Sequence, residues 1–145
     1  LHALDRRQRQ MCIRDSVKDY DRYLENKEVR KSANELRAIW ACGNEYLQSA
    51  EPWSVFKTDP DKAAMQIRLS LNLIKLYGVL SEPFIPDTAQ KIFDAMHVKD
   101  RTWPENIRDA LNSLPESGAF EVPEVMFGKI SDEERETWKN QFAGS

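Results

Sequence analysis

A long apolar segment between two proline-marked breaks constrains the fold of this chain more than any other feature. Residues 63–80 are apolar nearly all round the helical wheel. Asp59 and Pro60 precede them as an N-cap and a first-turn residue, and Pro83 and Pro86 end the pattern. A helix that has no polar face is packed on more than one side. The segment therefore predicts a central helix with other helices around it.

The other apolar residues recur at three- to four-residue intervals, which is the period of a helix. They predict one helix that starts at Ser16 and two that cover 27–49 and 87–96. Two more helices are predicted, one after Trp103 and one that begins with a capping box from Ser131 to Glu134. Residues 115–131 are expected to lie extended and to carry the final helix back onto the bundle. No strand-like alternation of useful length occurs. The predicted fold class is an all-α helical bundle with a C-terminal arm and helix folding back.

Composition sets limits on what this chain does. Its 145 residues, 41% hydrophobic and 31% charged, suit one domain with a real core. The formal net charge of −3 argues against binding nucleic acid mainly through phosphates, although the stretch from Lys27 to Lys75 is mildly basic. No apolar run is long enough to span a membrane, so the chain is expected to be cytoplasmic.

The sequence contains no pattern that is typical of catalysis. The five glycines are scattered singly, so no phosphate-binding loop is predicted. The two cysteines are too isolated for a disulfide framework or a zinc site. No acid pair or nucleophile with its base stands out from the charged background. We therefore expect no catalytic residue, no metal and no cofactor in this chain.

A connector between the second predicted helix and the central one holds the candidate site. Pro52 and Trp53 follow Asn44 and Tyr46 at a short interval. A tryptophan at such a position either plugs the end of the bundle or presents a flat face on which a nucleobase stacks. Asn44 either hydrogen-bonds the backbone near a helix end or contacts RNA.

The Asn44, Tyr46 and Pro52-Trp53 block resembles the anticodon-binding domain of methionyl-tRNA synthetase. The Asp59-Pro60 helix start and a Phe127-x-Lys129-Ile130 string near the end are similar to that family as well. The resemblance implies that Trp53, Pro52 and Asn44 bind the anticodon. The flanking lysines are candidate phosphate contacts, namely Lys57 and Lys62.

The same resemblance implies the partners. They would be a methionine-acceptor tRNA with a CAU anticodon and the catalytic domain of the parent enzyme, with no DNA and no membrane. ATP and methionine would bind that catalytic domain, so this chain alone is expected to be inactive. Two alternatives stay open. One is a helical protein-protein interaction module, and the other is the anticodon domain of a valine, isoleucine, leucine or cysteine enzyme, against which Pro52-Trp53 argues.

The first sixteen residues depart from the family pattern. Met11 to Asp15 is similar to translated sequencing-adapter sequence, and the preceding residues are rich in arginine. Residues 1–16 are therefore either a non-native leader, which we favour, or a basic RNA-binding arm. Their deletion is expected to leave stability nearly unchanged. The remaining division is a bundle over 17–114 and an arm with the final helix over 115–145, all in one domain.

Overall fold

The computed structural model describes residues 2–144, and the side chains of residues 13–144. Over this range the chain forms helices and no strand, which confirms the all-α prediction. The helices are α1 (His2–Glu25), α2 (Val29–Ala50), α3 (Pro52–Val55), α4 (Pro60–Ser81), α5 (Pro86–Ala95), α6 (Ile107–Ala110) and α7 (Asp132–Phe142). Within the described range, none of them is both long and apolar enough to cross a membrane.

Helix α4 is the central element that the apolar segment predicts. It packs against α2, α3 and α5, and buries most of its second half, including Leu73, Leu76 and Leu80. Its start is also as predicted, because the Lys62 backbone N–H donates to Asp59 Oδ1 at 3.0 Å. A carboxylate in this position satisfies one of the free N–H groups at a helix N-terminus.

Helix α1 begins earlier than the sequence indicates. It runs without a break past Ser16, so the predicted helix start is wrong and the boundary at residue 16 falls inside a helix. Ile13, Val17 and Tyr20 explain why, since this i, i+4, i+7 stripe is only 4%, 3% and 0% exposed. The core therefore takes in part of the segment that was expected to be a leader. The arginine side chains before residue 13, the candidate RNA-binding arm, lie outside the described side chains.

Trp103 packs against α1 at the edge of the core. The sequence predicts that it begins a helix, but it lies before the short helix α6. Its ring stacks on Tyr20 with centroids 5.9 Å apart, and its Nε1 donates to Asp21 Oδ1 at 2.8 Å. The Tyr20 hydroxyl donates to the Leu80 carbonyl at 2.6 Å, and burial raises the pKa of Tyr20 to about 12. Burial also raises the pKa of Asp21.

An ion pair holds the connection between α5 and α6. Lys75, nearly buried on α4, donates to Asp100 Oδ2 at 3.0 Å and to Ser113 Oγ at 3.1 Å. Hydrogen bonds from Thr102, and then from Lys75, keep the pKa of Asp100 well below its usual range. The connection is thereby tied to the central helix.

The C-terminal arm contacts the bundle at the end of α5. The Glu121 backbone N–H donates to the Ala95 carbonyl at 2.7 Å, at the end of α5. Helix α7 begins with the predicted capping box, in which Ser131 and Glu134 exchange hydrogen bonds at 3.2 and 2.8 Å. However, α7 buries none of its residues, whereas the sequence predicts that it folds back onto the bundle.

Candidate nucleic-acid interface

A sharp backbone turn positions the candidate site. Helix α2 ends where Glu51 adopts a left-handed conformation, with φ 42° and ψ 55°, and its N–H donates to the Leu47 carbonyl. The Glu51 carbonyl then accepts from the N–H groups of Ser54 and Val55 at 2.9 and 3.0 Å, which starts α3. A left-handed non-glycine residue is costly and persists only where its surroundings fix it. The connector is therefore a defined turn between two helices.

Pro52 and Trp53 have opposite environments at this turn. Pro52, the first residue of α3, is buried and anchors the connector. Trp53 is 52% exposed, which is more than a core plug would be. The buried proline thus supports an indole ring that stands at the protein surface. The turn is further tied to α4, because Gln66 Nε2 donates to the Ala50 carbonyl at 3.1 Å.

Three further apolar side chains on α4 and just after α3 are exposed, and sequence reasoning did not select them. Phe56 is 64% exposed, and Met65 and Ile67 on α4 are 61% and 41% exposed. Phe56 and Ile67 line one open depression together with Trp53. The signal that could have selected Met65 and Ile67 is in the first half of α4, where Ala63 is the one buried residue although other apolar residues follow it.

Asn44 does not join this depression. It lies in the body of α2 rather than at its end, and its side chain is exposed. The Asn44 side chain makes no hydrogen bond within the part of the chain that the structure describes, so the expected side-chain bond to the backbone near a helix end is not formed. Its amide is free to meet a ligand, but the structure does not place it beside Trp53.

The two lysines that flank the connector have no acidic partner among the described side chains. Lys57 is exposed and Lys62 is half-buried. Arg68 on α4 is engaged instead, since it donates to the Leu114 carbonyl at 2.7 Å. Lys57 and Lys62 thus remain the cations nearest in sequence to Trp53 that could contact a phosphate.

The surface offers groups that suit binding. No group of three or more His, Cys, Asp or Glu side chains in the described range could hold a metal ion. Trp53 and Phe56 provide aromatic faces, and Lys57 and Lys62 provide charge. Aromatic faces beside cations suit a ligand with flat rings and an anionic backbone.

The fold and this surface define a helical binding domain. A family model described as the anticodon-binding domain of methionyl tRNA ligase matches residues 5–145. The chain belongs to this family, as the connector motif predicts. The match begins inside the segment of sixteen residues that was expected to depart from the family.

Curated relatives agree with this assignment. The chain is 62% identical to the methionine--tRNA ligase of Ruegeria sp. (strain TM1040) over 86% of its length. It is 60% identical to that of Paracoccus denitrificans (strain Pd 1222) over 88%, and 59% identical to that of Ruegeria pomeroyi over 88%. In each case the chain spans 22% of the relative's length.

Proposed function

We propose that this chain binds the anticodon loop of a methionine-acceptor tRNA and that Trp53 stacks on an unstacked base of its CAU anticodon. The observation that carries the proposal is the position of Trp53, which is 52% exposed on a connector fixed by the buried Pro52. Proteins read single-stranded loops by stacking splayed bases on aromatic rings. A ring that is already held at the surface loses little conformational freedom on binding.

The chemistry of aminoacylation belongs, in this proposal, to another part of the enzyme. The aromatic and basic side chains of this surface suit binding, and the chain spans 22% of its relatives' length. ATP and methionine would bind the catalytic domain. That domain would be the partner of the anticodon domain within one enzyme, which would be located in the cytoplasm. Asn44, exposed on α2, would contact the RNA at a distance from the stacked base.

Substitution of Trp53 tests the stacking role. Stacking of one base on an aromatic ring contributes ~1–3 kcal/mol, so Trp53→Ala is expected to weaken binding of a CAU stem-loop roughly five- to a hundredfold. Trp53→Phe should keep part of the affinity because it retains an aromatic face. The measurement is filter binding or fluorescence anisotropy, with circular dichroism to check helix content.

Trp138 gives the matched control for this test. It is 45% exposed on α7, nearly the same exposure as Trp53. Trp138→Ala should therefore leave the stem-loop affinity unchanged. If Trp53→Ala melts the bundle without a selective loss of RNA affinity, Trp53 is a structural residue and the proposal is wrong.

Lys57 and Lys62 lead to a separate prediction about how the RNA affinity depends on salt concentration. Each phosphate contact releases about one counterion, so Lys57→Ala should lower the slope of log affinity against log salt by roughly one. The total slope should be shallow, about one to three, because the site uses few cations. Lys18→Ala, an exposed lysine on α1, should not change the slope. A slope that is identical in wild type and Lys57→Ala would remove Lys57 from the interface.

A further inference from the structure

The depression beside Trp53 is larger than one exposed ring requires. It encloses about 520 Å³ between α3 and α4, which is within the ~300–1,000 Å³ of small-ligand sites. Every residue that lines it is apolar, and its large exposed side chains are Trp53, Phe56 and Ile67. Solvent-exposed apolar surface of this kind is a feature of binding sites.

The backbone at Phe56 belongs to the same hydrogen-bonded turn as the backbone at Trp53. The two residues are three apart, so α3 directs them to the same side. The Phe56 backbone N–H donates to the Pro52 carbonyl at 2.9 Å, and the Asp59 N–H donates to the Val55 carbonyl at 2.8 Å. These bonds fix the backbone on both sides of Phe56, and its ring, which is 64% exposed, is a second aromatic face in the same depression.

The charge beside this face indicates the kind of ligand. Lys57 follows Phe56 directly, and Lys62 lies in the first turn of α4, after Pro60. Neither forms an ion pair with a described carboxylate, unlike Lys31, which pairs with Glu28. An apolar depression lined by Phe56, which an exposed and unpaired cation follows in sequence, fits a base that is attached to a phosphate chain better than it fits an apolar peptide side chain.

We infer that this depression is a second base-stacking site, in which Phe56 receives an unstacked nucleobase next to the base on Trp53. This inference rests on the proposed function and extends it from one base to two. Since no polar side chain lines the depression, the site contacts the face of the base and does not read its edge. It therefore accepts any base but not an abasic nucleotide.

A double-mutant cycle between protein and RNA tests this. Wild type, Phe56→Ala and Trp53→Ala are titrated with CAU stem-loops that carry an abasic nucleotide at each loop position in turn. Phe56→Ala should weaken binding of the intact loop roughly fivefold or more. One abasic position should abolish that loss, and a different position should abolish the loss caused by Trp53→Ala. Changing the base at the Phe56 position should alter affinity less than about twofold.

The controls separate this inference from the proposed function. Phe56→Tyr keeps the ring and should bind as wild type does, and Phe142→Ala, 75% exposed on α7, should also have no effect.

A loss with Trp53→Ala alone would refute the second site and keep the proposed function. A loss with neither variant would refute both. If the same abasic position cancels both losses, one base contacts both rings and the second site is refuted. A lower melting temperature of Phe56→Ala with unchanged affinity would assign the depression to protein packing.

Discussion

Replacing Gly43 by alanine is expected to destabilise the bundle strongly. Gly43 on α2 faces Tyr77 on α4, and an added Cβ would lie 1.6 Å from the Tyr77 hydroxyl oxygen and 2.7 Å from Cζ. No rotation of the methyl group relieves such an overlap, so the Tyr77 ring must move or the two helices must separate. Overpacking of this kind costs roughly 1–3 kcal/mol and sometimes more. At about 2–4 °C per kcal/mol for a domain of this size, thermal unfolding would show the loss clearly.

Two variants make this prediction specific. Gly128→Ala is the matched control, because a Cβ at Gly128 would meet nothing within 4 Å. Tyr77→Phe in the Gly43→Ala background should recover part of the stability, because it removes the closest atom. The Tyr77 hydroxyl is buried without a hydrogen-bond partner in the described chain, so Tyr77→Phe alone should cost little. Equal melting temperatures for Gly43→Ala and Gly128→Ala would show that α2 and α4 do not meet at Gly43.

Ile13→Ala is expected to cost roughly 2–5 kcal/mol in unfolding free energy. Ile13 is 4% exposed and belongs to the core cluster that includes Tyr20 and Leu80. Deleting residues 1–16 should be at least as damaging, contrary to the expectation from sequence that this segment is dispensable. The measurement is urea unfolding followed by circular dichroism.

Arg14→Ala is the control for Ile13. Arg14 is the next residue on α1, and its exposed pair with Asp15 at 3.2 Å adds little stability. A deletion of residues 1–16 that leaves the unfolding midpoint unchanged would contradict the packing of Ile13 described here.

Local signals explain which helices were predictable. The Asp59-Pro60 start of α4 and the Ser131 capping box of α7 are each contained within a few residues, so the sequence alone specifies them. The predicted start of α1 was wrong because its true position depends on distant contacts. Ser16 is a residue type that is common at helix N-caps, but it lies between Ile13 and Val17, whose burial depends on contacts with distant helices. The stripe from Ile13 through Tyr20 was the signal that could have corrected it.

The candidate site divides in a similar way. Pro52 and Trp53 could be selected because a proline-tryptophan pair on a connector is unusual and matches a family motif. Phe56 could not, since nothing in its neighbours shows that its ring is exposed beside Trp53. The left-handed conformation of Glu51 was equally hidden, because glycine or asparagine is the residue normally expected there. Both features depend on how α2, α3 and α4 meet.

We propose that this domain recognises the anticodon itself, and the affinity for two stem-loops that differ in anticodon tests this most directly. The affinity of the unmodified chain is measured for a stem-loop with CAU and for the same stem-loop with a different anticodon, at one fixed salt concentration. We predict that the CAU loop binds at least about tenfold more tightly, a difference of ~1.4 kcal/mol, and that Trp53→Ala weakens binding of both loops, because stacking contacts the face of any base. Equal affinity for the two loops would contradict the claim.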